Sequence, residues 1–131
     1  MKLNLGCGFR PIEGYINIDK STRCPADMHL DVCEGLPFED GSVAEVRAYD
    51  FLEHIPQGKT IHLLEEIWRV LVPGGILEHM TPSTDGRGAF QDPTHVSFWN
   101  INSWLYYTDD LYRDLYGIKA KFSIEILKDI E

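Results

Sequence analysis

Glycines and acidic residues that could bind a ligand stand at the ends of short apolar runs. In Leu5-Gly6-Cys7-Gly8, two glycines directly follow such a run, and glycine lets the backbone approach a ligand closely. Asp19 ends the next apolar run. A carboxylate at that position can accept hydrogen bonds from both hydroxyls of a ribose. Taken alone, the pattern is equally typical of an ordinary tight turn with a solvated aspartate.

Two histidines and one cysteine are further candidates for chemistry. His54 follows Glu53 where a helix is expected to begin, so it is either a catalytic group or a polar residue that only contacts its neighbours. His95 can face a substrate, or it can fix its loop through a hydrogen bond to Asp92. Cys7 is predicted to be a small buried residue and not a nucleophile, because no basic partner or helix terminus activates it.

No metal site is predicted. Cys24, His29 and Cys33 do not have the spacing of zinc ligands. The HExxH and GxSxG patterns are both absent from the sequence, which argues against the commonest metalloproteases and hydrolases.

Length and charge limit the classes of function. The chain has 131 residues, which predicts a single domain over residues 1–131. Its formal net charge is −9, so nucleic acid is disfavoured as a partner without being excluded. Three cysteines without a CxxC spacing indicate a reducing compartment, and we expect a cytoplasmic protein. The apolar stretches are too short for insertion into a membrane.

Apolar periodicity indicates an α/β fold. Strand-like runs cover residues 3–5, 15–19, 43–49 and 76–80, and a helical pattern over residues 57–72 ends at Pro73-Gly74-Gly75. Strands that alternate with helices predict a doubly wound, Rossmann-like and mostly parallel sheet in a three-layer sandwich. Only residues 6–14 join the first two strands, and Pro11 lies among them. We therefore expect a shortened first helix.

The second part of the chain has a different character. Residues 84–100 are rich in Gly, Pro, Asp and Asn, which is typical of a structured loop. A helix is expected around residues 109–116, and the alternating residues 121–127 predict a last strand. The aromatic residues of this part are more typical of a core or an interface than of a substrate platform; they are Phe98, Trp99, Trp104, Tyr106 and Tyr107.

The ordered motifs resemble those of the class I S-adenosylmethionine-dependent methyltransferases, specifically the branch with an LNLGCG opening and a shortened first helix. The motifs, in chain order, are residues 3–8, 17–19, 31–32, 36–42, 52–55 and 69–75. The resemblance covers most of residues 3–83 and extends weakly to residues 90–95. It implies a cofactor-binding half over residues 1–83 and an acceptor-side loop and last strand over residues 84–131, with a shortened C-terminal part.

The resemblance also implies a role for individual residues. Gly6, Cys7 and Gly8 would form the turn over the methionine moiety of S-adenosylmethionine, and Asp19 would hold the ribose hydroxyls. The remaining residues implied to contact the cofactor are Lys20 beside the adenine, Asp31 and the Val32 amide at its nitrogens, and Asp50, Phe51 and His54 near the transferable methyl group. One departure is Asn4, where many members have an acid; the lost charge indicates modest affinity for the cofactor.

Methyl transfer from a sulfonium needs alignment of the acceptor more than covalent catalysis. A general base is useful for a hydroxyl or ammonium acceptor, and the candidates are Asp50, His54, Asp92 and His95. The acidic composition favours a small molecule, a glycan or lipid precursor, or a basic protein as acceptor, and RNA is the main rival because Trp99 and Tyr106 could stack on bases. The alternative is a non-catalytic module that binds S-adenosylmethionine. A homodimer that completes the acceptor pocket is also predicted.

Overall fold

The structure is a computed structural model, and it describes residues 1–128. Its strands are β1 (Lys2–Leu5), β2 (Ile16–Asp19), β3 (Met28–His29), β4 (Val43–Tyr49) and β5 (Leu71–Met80). Its α-helices are α1 (Thr60–Val70), α2 (Gly88–Gln91), α3 (Leu105–Thr108) and α4 (Asp110–Tyr116). Short 3₁₀ helices cover Val32–Glu34, Leu52–His54, Gln57–Lys59 and Ile101–Trp104. None of the helices within residues 1–128 has the length and apolar character needed to cross a bilayer.

All five strands pair in parallel, in the order β3-β2-β1-β4-β5. Chain order reverses direction at β1, so β1 and β4 flank the switch point where ligands bind in doubly wound sheets. The predicted α/β class with a parallel, doubly wound sheet is confirmed. Periodicity did not indicate β3, because a strand of two residues is too short to show alternation.

Helix α1 covers one face of the sheet. Its buried positions recur at helical spacing and join the strand residues in a single apolar core; they are Leu63, Leu64, Ile67 and Val70. The Arg69 guanidinium at the end of α1 donates to the carbonyl oxygens of Leu36 and Phe38 at 2.9 and 2.8 Å. These bonds fasten the segment before β4 to the helix.

The opposite face carries side chains that are exposed or half-buried, such as Glu45, Arg47 and Glu78. The loop between β1 and β2 runs without a helix, so the shortened first helix of the sequence prediction is reduced to turns. Where β1 joins β2, a loop therefore stands in place of a helix of the predicted three-layer sandwich.

A buried pair of asparagines holds that loop. Asn4 and Asn17 face each other in the register of β1 and β2, and Asn4 Nδ2 donates to Asn17 Oδ1 at 3.0 Å. Asn17 Oδ1 also accepts from the Ile12 amide at 2.8 Å, and Asn17 Nδ2 donates to the Ile12 and Tyr15 carbonyl oxygens. The amide at position 4 thus organises the loop that stands in place of the first helix.

We expect Asn17→Ala to lower the free energy of unfolding by about 2–4 kcal/mol, because it leaves the buried Asn4 amide and the Ile12 backbone groups without partners. Chemical denaturation followed by circular dichroism measures this loss. Thr22→Ala, an exposed position in the following loop, serves as the control and should change stability by less than about 0.5 kcal/mol. Equal stability of Asn17→Ala and wild type would contradict the role given to the asparagine pair.

Two element predictions were wrong. Helix α1 ends at Val70, and the Pro73-Gly74-Gly75 segment belongs to β5, which begins at Leu71 beside an irregularity in its pairing with β4. Residues 121–127 form no strand. The Phe122 amide bonds the Tyr107 carbonyl at 2.8 Å, which ties the segment to α3 and not to a sheet edge. The helix expected around residues 109–116 is confirmed as α4.

His79 on β5 makes stability depend on pH. Its ring packs on Trp104 with centroids 4.3 Å apart, and burial lowers its pKa below the ordinary value. In the unfolded chain the imidazole binds a proton below about pH 6.5, while folded His79 stays neutral to lower pH. The contribution of His79 to the free energy of unfolding is therefore complete above about pH 6.5, and it is lost as the pH falls towards the pKa of the folded state.

We expect the free energy of unfolding to fall with a steeper slope between about pH 6.5 and pH 5 in the wild type than in His79→Gln, the difference reaching up to about 1.4 kcal/mol per pH unit. Denaturation curves over this pH range measure the slopes. His62→Gln, at an exposed position of α1, should keep the wild-type slope. Parallel slopes for His79→Gln and wild type would refute the assignment.

Candidate active site

A cavity of about 390 Å³ opens at the carboxyl ends of β1, β2 and β4. Its volume is in the range of pockets that hold small ligands. Eight residues predicted for the cofactor line it together: Gly6, Asp19, Lys20, Asp31, Val32, Asp50, Phe51 and His54. Leu30 and Ile55 add apolar wall. Apolar walls with carboxylates at the rim fit a nucleoside, which has an aromatic base and a polar sugar.

Gly6 has a φ of 67°, a backbone conformation that L side chains rarely adopt. The Phe51 ring lies directly above it, so a Cβ at position 6 would come within 2.8 Å of Phe51 Cγ. The Gly6 amide donates to the Ile18 carbonyl oxygen at 2.9 Å, which fixes the turn against β2. Glycine at this position therefore lets Phe51 cover the floor of the cavity.

The Asp19 carboxylate holds the turn from the other side. Its Oδ2 accepts from the Gly8 amide at 2.9 Å, and its Oδ1 accepts from the Ser21 amide at 2.8 Å. An ionised carboxylate has about four acceptor positions, so capacity for two ligand hydroxyls remains. The observed hydrogen bonds therefore allow Asp19 to stabilise the turn and to bind a ligand at the same time.

Asp31 caps the 3₁₀ helix Val32–Glu34. Its Oδ1 accepts from the Cys33 amide at 2.9 Å, and Lys20 Nζ lies 3.7 Å from its Oδ2. The hydrogen bond from Cys33, followed by the charge of Lys20, lowers the pKa of this carboxyl group. Asp31 is therefore ionised at neutral pH and can accept from an amino group, while Val32 begins the helix with an amide that lacks an intrahelical partner.

Asp50 follows β4 with a φ of 50°, the only positive φ of a non-glycine residue among residues 1–128. Such conformations cost about 1–3 kcal/mol and cluster at functional sites. Its side chain is exposed and borders the 390 Å³ cavity. Asp50 also borders a larger groove of about 1590 Å³ that runs along β5 to residues 121–128. It is thus placed between the 390 Å³ cavity and a second open surface.

The three other predicted catalytic residues meet beside the cavity. The rings of His54 and His95 lie edge to face with centroids 5.2 Å apart, and His95 Nε2 lies 3.4 Å from Asp92 Oδ2. The Asp92 side chain also accepts from the Thr94 amide and hydroxyl. The side-chain hydrogen bond expected between Asp92 and His95 is not present among the described residues; His95 instead bonds the Ala89 carbonyl oxygen through Nδ1, and its Nε2 lies near Asp92 and His54.

Glu53 is a residue of this cluster that sequence reasoning did not single out. Its side chain is 3% exposed, and its Oε2 lies 4.0 Å from Nε2 of both His54 and His95. Burial raises the pKa of its carboxyl group. The signal in the sequence is a glutamate beside a histidine between two apolar residues, LEHI, and such a glutamate is commonly solvated.

Other candidates lie away from the cavity. Cys7 and Gly8 do not line it; Cys7 is buried under the turn, and burial raises the pKa of its thiol, as expected for a residue that is not a nucleophile. Trp99 is buried and cannot stack on a base, whereas Tyr106 is 37% exposed. Trp104 and Tyr107 belong to the core, and exposed Phe98 stacks on Phe90.

Comparison with known proteins finds a matching family model and a similar solved structure. A family model described as "Methyltransferase domain" matches residues 15–78. No curated protein matches the sequence significantly. Among solved structures, the chain is similar to one from a complex between the Haloferax volcanii Trm112 methyltransferase activator and its candidate methyltransferase, with a TM-score of 0.60 and 20% identity. The match covers 86% of this chain and 59% of that chain, so the present chain spans less than two thirds of that structure.

The likeness in structure shows the fold, and the matched residues 15–78 contain Asp19, Asp31 and the segment from Asp50 to His54. Family match, parallel sheet and sequence motifs agree on the same part of the chain. Residues 15–78 therefore match a methyltransferase-domain family model, and the chain has the α/β fold of the similar structure.

Proposed function

We propose that this protein binds S-adenosylmethionine in the 390 Å³ cavity and transfers its methyl group to an acceptor that approaches from the side of Asp50 and His54. The observation that carries the proposal is that the eight residues implied by the sequence motifs line one cavity. They come from four separate segments of the chain, so turns that formed for local reasons alone would not converge in this way. The bound cofactor supplies a methyl group activated by a sulfonium.

Different residues of the cavity would bind different parts of the cofactor. Asp19 would accept from the ribose hydroxyls, Asp31 and the Val32 amide would contact the adenine edge, and Phe51 would cover the base or the methionine arm. Lys20 lies beside Asp31 at the rim, where its ammonium is largely exposed. Asn4 is bonded to Asn17 in the loop network, so this chain gains loop order from the amide where related sequences have a charge.

Asp50, His54, Asp92 and His95 would orient the acceptor and remove its proton. His95 Nδ1 lies 3.0 Å from the Ala89 carbonyl oxygen, so Nδ1 carries a hydrogen and Nε2 is the basic atom of the neutral ring. Its neighbour His54 borders the cavity and is 41% exposed. We therefore infer that His54 is the group best placed to contact an acceptor, with His95 and Asp92 behind it.

Isothermal titration calorimetry with S-adenosylmethionine and S-adenosylhomocysteine tests the binding half of the proposal. We expect one site per chain for both. Incubation of cell extract with methyl-labelled cofactor and mass spectrometry then identify the labelled class of molecule. Absence of cofactor binding would refute the proposal. Binding without turnover by any extract would instead support the alternative, a non-catalytic module that binds S-adenosylmethionine.

The acceptor is proposed to be a small molecule, a glycan or lipid precursor, or a basic protein, in keeping with the net charge of −9. RNA is less favoured as the acceptor because Trp99 is buried. Binding of RNA that weakens steeply as the salt concentration rises would support RNA as the acceptor. The groove along β5 offers the room for such an acceptor.

A protein partner and a compartment are also proposed. The similar structure is a complex with a methyltransferase activator, which supports a protein partner for this chain as well. A homodimer stays a prediction, and light scattering at micromolar concentration tests it. The described cysteines are free thiols, as a reducing, cytoplasmic compartment requires.

A further inference from the structure

Glu53, His54 and His95 form a side-chain cluster at the border of the cofactor cavity. One ligand atom from each lies within 4.8 Å of the others. We propose that these three side chains bind a divalent first-row transition-metal cation such as Zn²⁺ or Fe²⁺. Two imidazole nitrogens and one carboxylate oxygen are donors that these cations accept well, whereas Mg²⁺ and Ca²⁺ prefer sites made of oxygen atoms.

Glu53 supplies an independent observation. Its side chain is 97% buried, and its Oε1 has no hydrogen-bond partner within residues 1–128. A buried carboxylate oxygen without a donor is unfavourable. The second oxygen, Oε2, points to the two imidazoles at 4.0 Å. A cation between these groups compensates the buried charge.

The orientation of His95 is compatible with a cation at the same place. Its Nδ1 lies 3.0 Å from the Ala89 carbonyl oxygen, which can only accept, so the hydrogen of the neutral ring is on Nδ1. The Nε2 lone pair then faces Glu53 Oε2 and, at 3.4 Å, Asp92 Oδ2. Acceptors that face acceptors repel one another unless a cation or a proton lies between them. A ring nitrogen fixed by a backbone carbonyl is also the usual arrangement behind a metal-bound histidine.

The cluster must contract to close on a cation. Donors around a tetrahedral ion with bonds of about 2.1 Å lie about 3.4 Å apart, so the two 4.0 Å separations must shrink by about 0.6 Å, and the third, which is within 4.8 Å, by up to about 1.4 Å. His54 is 41% exposed and free to move, whereas His95 is 6% exposed. The Glu53 carbonyl accepts from the Val96 and Ser97 amides at 2.9 and 3.2 Å, which holds the two segments together.

The cation would also contact the acceptor of the methyl group. His54 belongs both to the cluster and to the wall of the cavity. A cation bound there would coordinate an acceptor oxygen and lower its pKa, which favours attack on a methyl group. This consequence rests on the proposed function, while binding of the cation does not.

Titration of the chelator-treated protein with Co²⁺, without S-adenosylmethionine, tests the site. We expect one equivalent of Co²⁺ with visible d–d absorption typical of nitrogen and oxygen ligands. Glu53→Gln and His95→Gln should each weaken binding by about 100-fold or more, since each removes one of three protein ligands. His62→Gln, an exposed histidine on α1, should bind as wild type does.

Several outcomes would overturn the proposal. They are no binding, equal binding by wild type and Glu53→Gln, and a thiolate-to-cobalt band in the near ultraviolet, which would place the metal on cysteine. If circular dichroism shows that Glu53→Gln does not fold, His54→Gln replaces it. His54 is 41% exposed, so its substitution should leave the fold intact and still abolish binding of Co²⁺. Failure of S-adenosylmethionine to bind in a separate calorimetric titration would refute the proposed function and leave the metal site standing.

Discussion

Gly6→Val should abolish detectable binding of S-adenosylmethionine in calorimetry, and Gly6→Ala should weaken it by about 100-fold or more. Position 6 has a φ of 67°, which costs a residue with a Cβ about 1–2 kcal/mol. The Cβ would also collide with the Phe51 ring and drive it into the cavity. Backbone strain and loss of cavity volume therefore act together on the same site.

Gly8 provides the matched control. It has a φ of 53°, but a Cβ there meets nothing within 4 Å. Gly8→Ala should thus show the conformational cost alone and bind S-adenosylmethionine within about tenfold of wild type, a difference of about 1.4 kcal/mol. If Gly8→Ala and Gly6→Ala weaken binding equally, the contact between Gly6 and Phe51 does not determine the site.

Asp19→Ala is expected to reduce affinity for S-adenosylmethionine by at least about 100-fold, close to 2.7 kcal/mol, because it removes the charged acceptor that we propose for two ribose hydroxyls. It also removes the anchors of the Gly8 and Ser21 amides. Calorimetry measures the affinity for S-adenosylmethionine. Thermal unfolding measures how much stability the protein loses when the turn is loosened.

Asp27→Ala separates these two effects. The Asp27 carboxylate accepts from the Asn17 amide at 2.7 Å, so it anchors backbone as Asp19 does, but it does not line the cavity. The two variants should lose comparable stability, and only Asp19→Ala should lose the cofactor. Equal affinity of Asp19→Ala and wild type would reduce Asp19 to a turn residue and would remove the main polar contact from the proposed site.

The strands and the main helix could be predicted because burial imposes a period on the sequence. Leu63, Leu64 and Ile67 recur at helical spacing, and residues 43–49 alternate as a strand. The same reasoning failed for residues 121–127. Their alternation is real, but Ile124 and Ile126 are 52% and 78% exposed, since no sheet edge pairs with this segment. A period shows what a segment could form, and the presence of a partner strand decides whether it does.

The residues that line the cavity could be predicted from the sequence because parallel strands end at one edge of the sheet. Once Gly6, Asp19 and Asp50 are assigned to strand ends, their convergence follows from topology. What topology does not give is the path of each loop. The contact of Phe51 with Gly6 depends on such a path, as does the bonding of Asp19 to Gly8.

By itself, the sequence determined the α/β class and the strand-end residues that line the cavity, because these depend on local periodicity and on motifs at strand ends. Only the tertiary structure decided that Glu53 is buried without a partner at Oε1 and faces His54 and His95. The physical reason is that His95 comes from a loop without periodicity, which the Val96 and Ser97 amides bring to the Glu53 carbonyl. Side chains distant in sequence acquire their chemistry through such contacts, and no spacing in the chain predicts them.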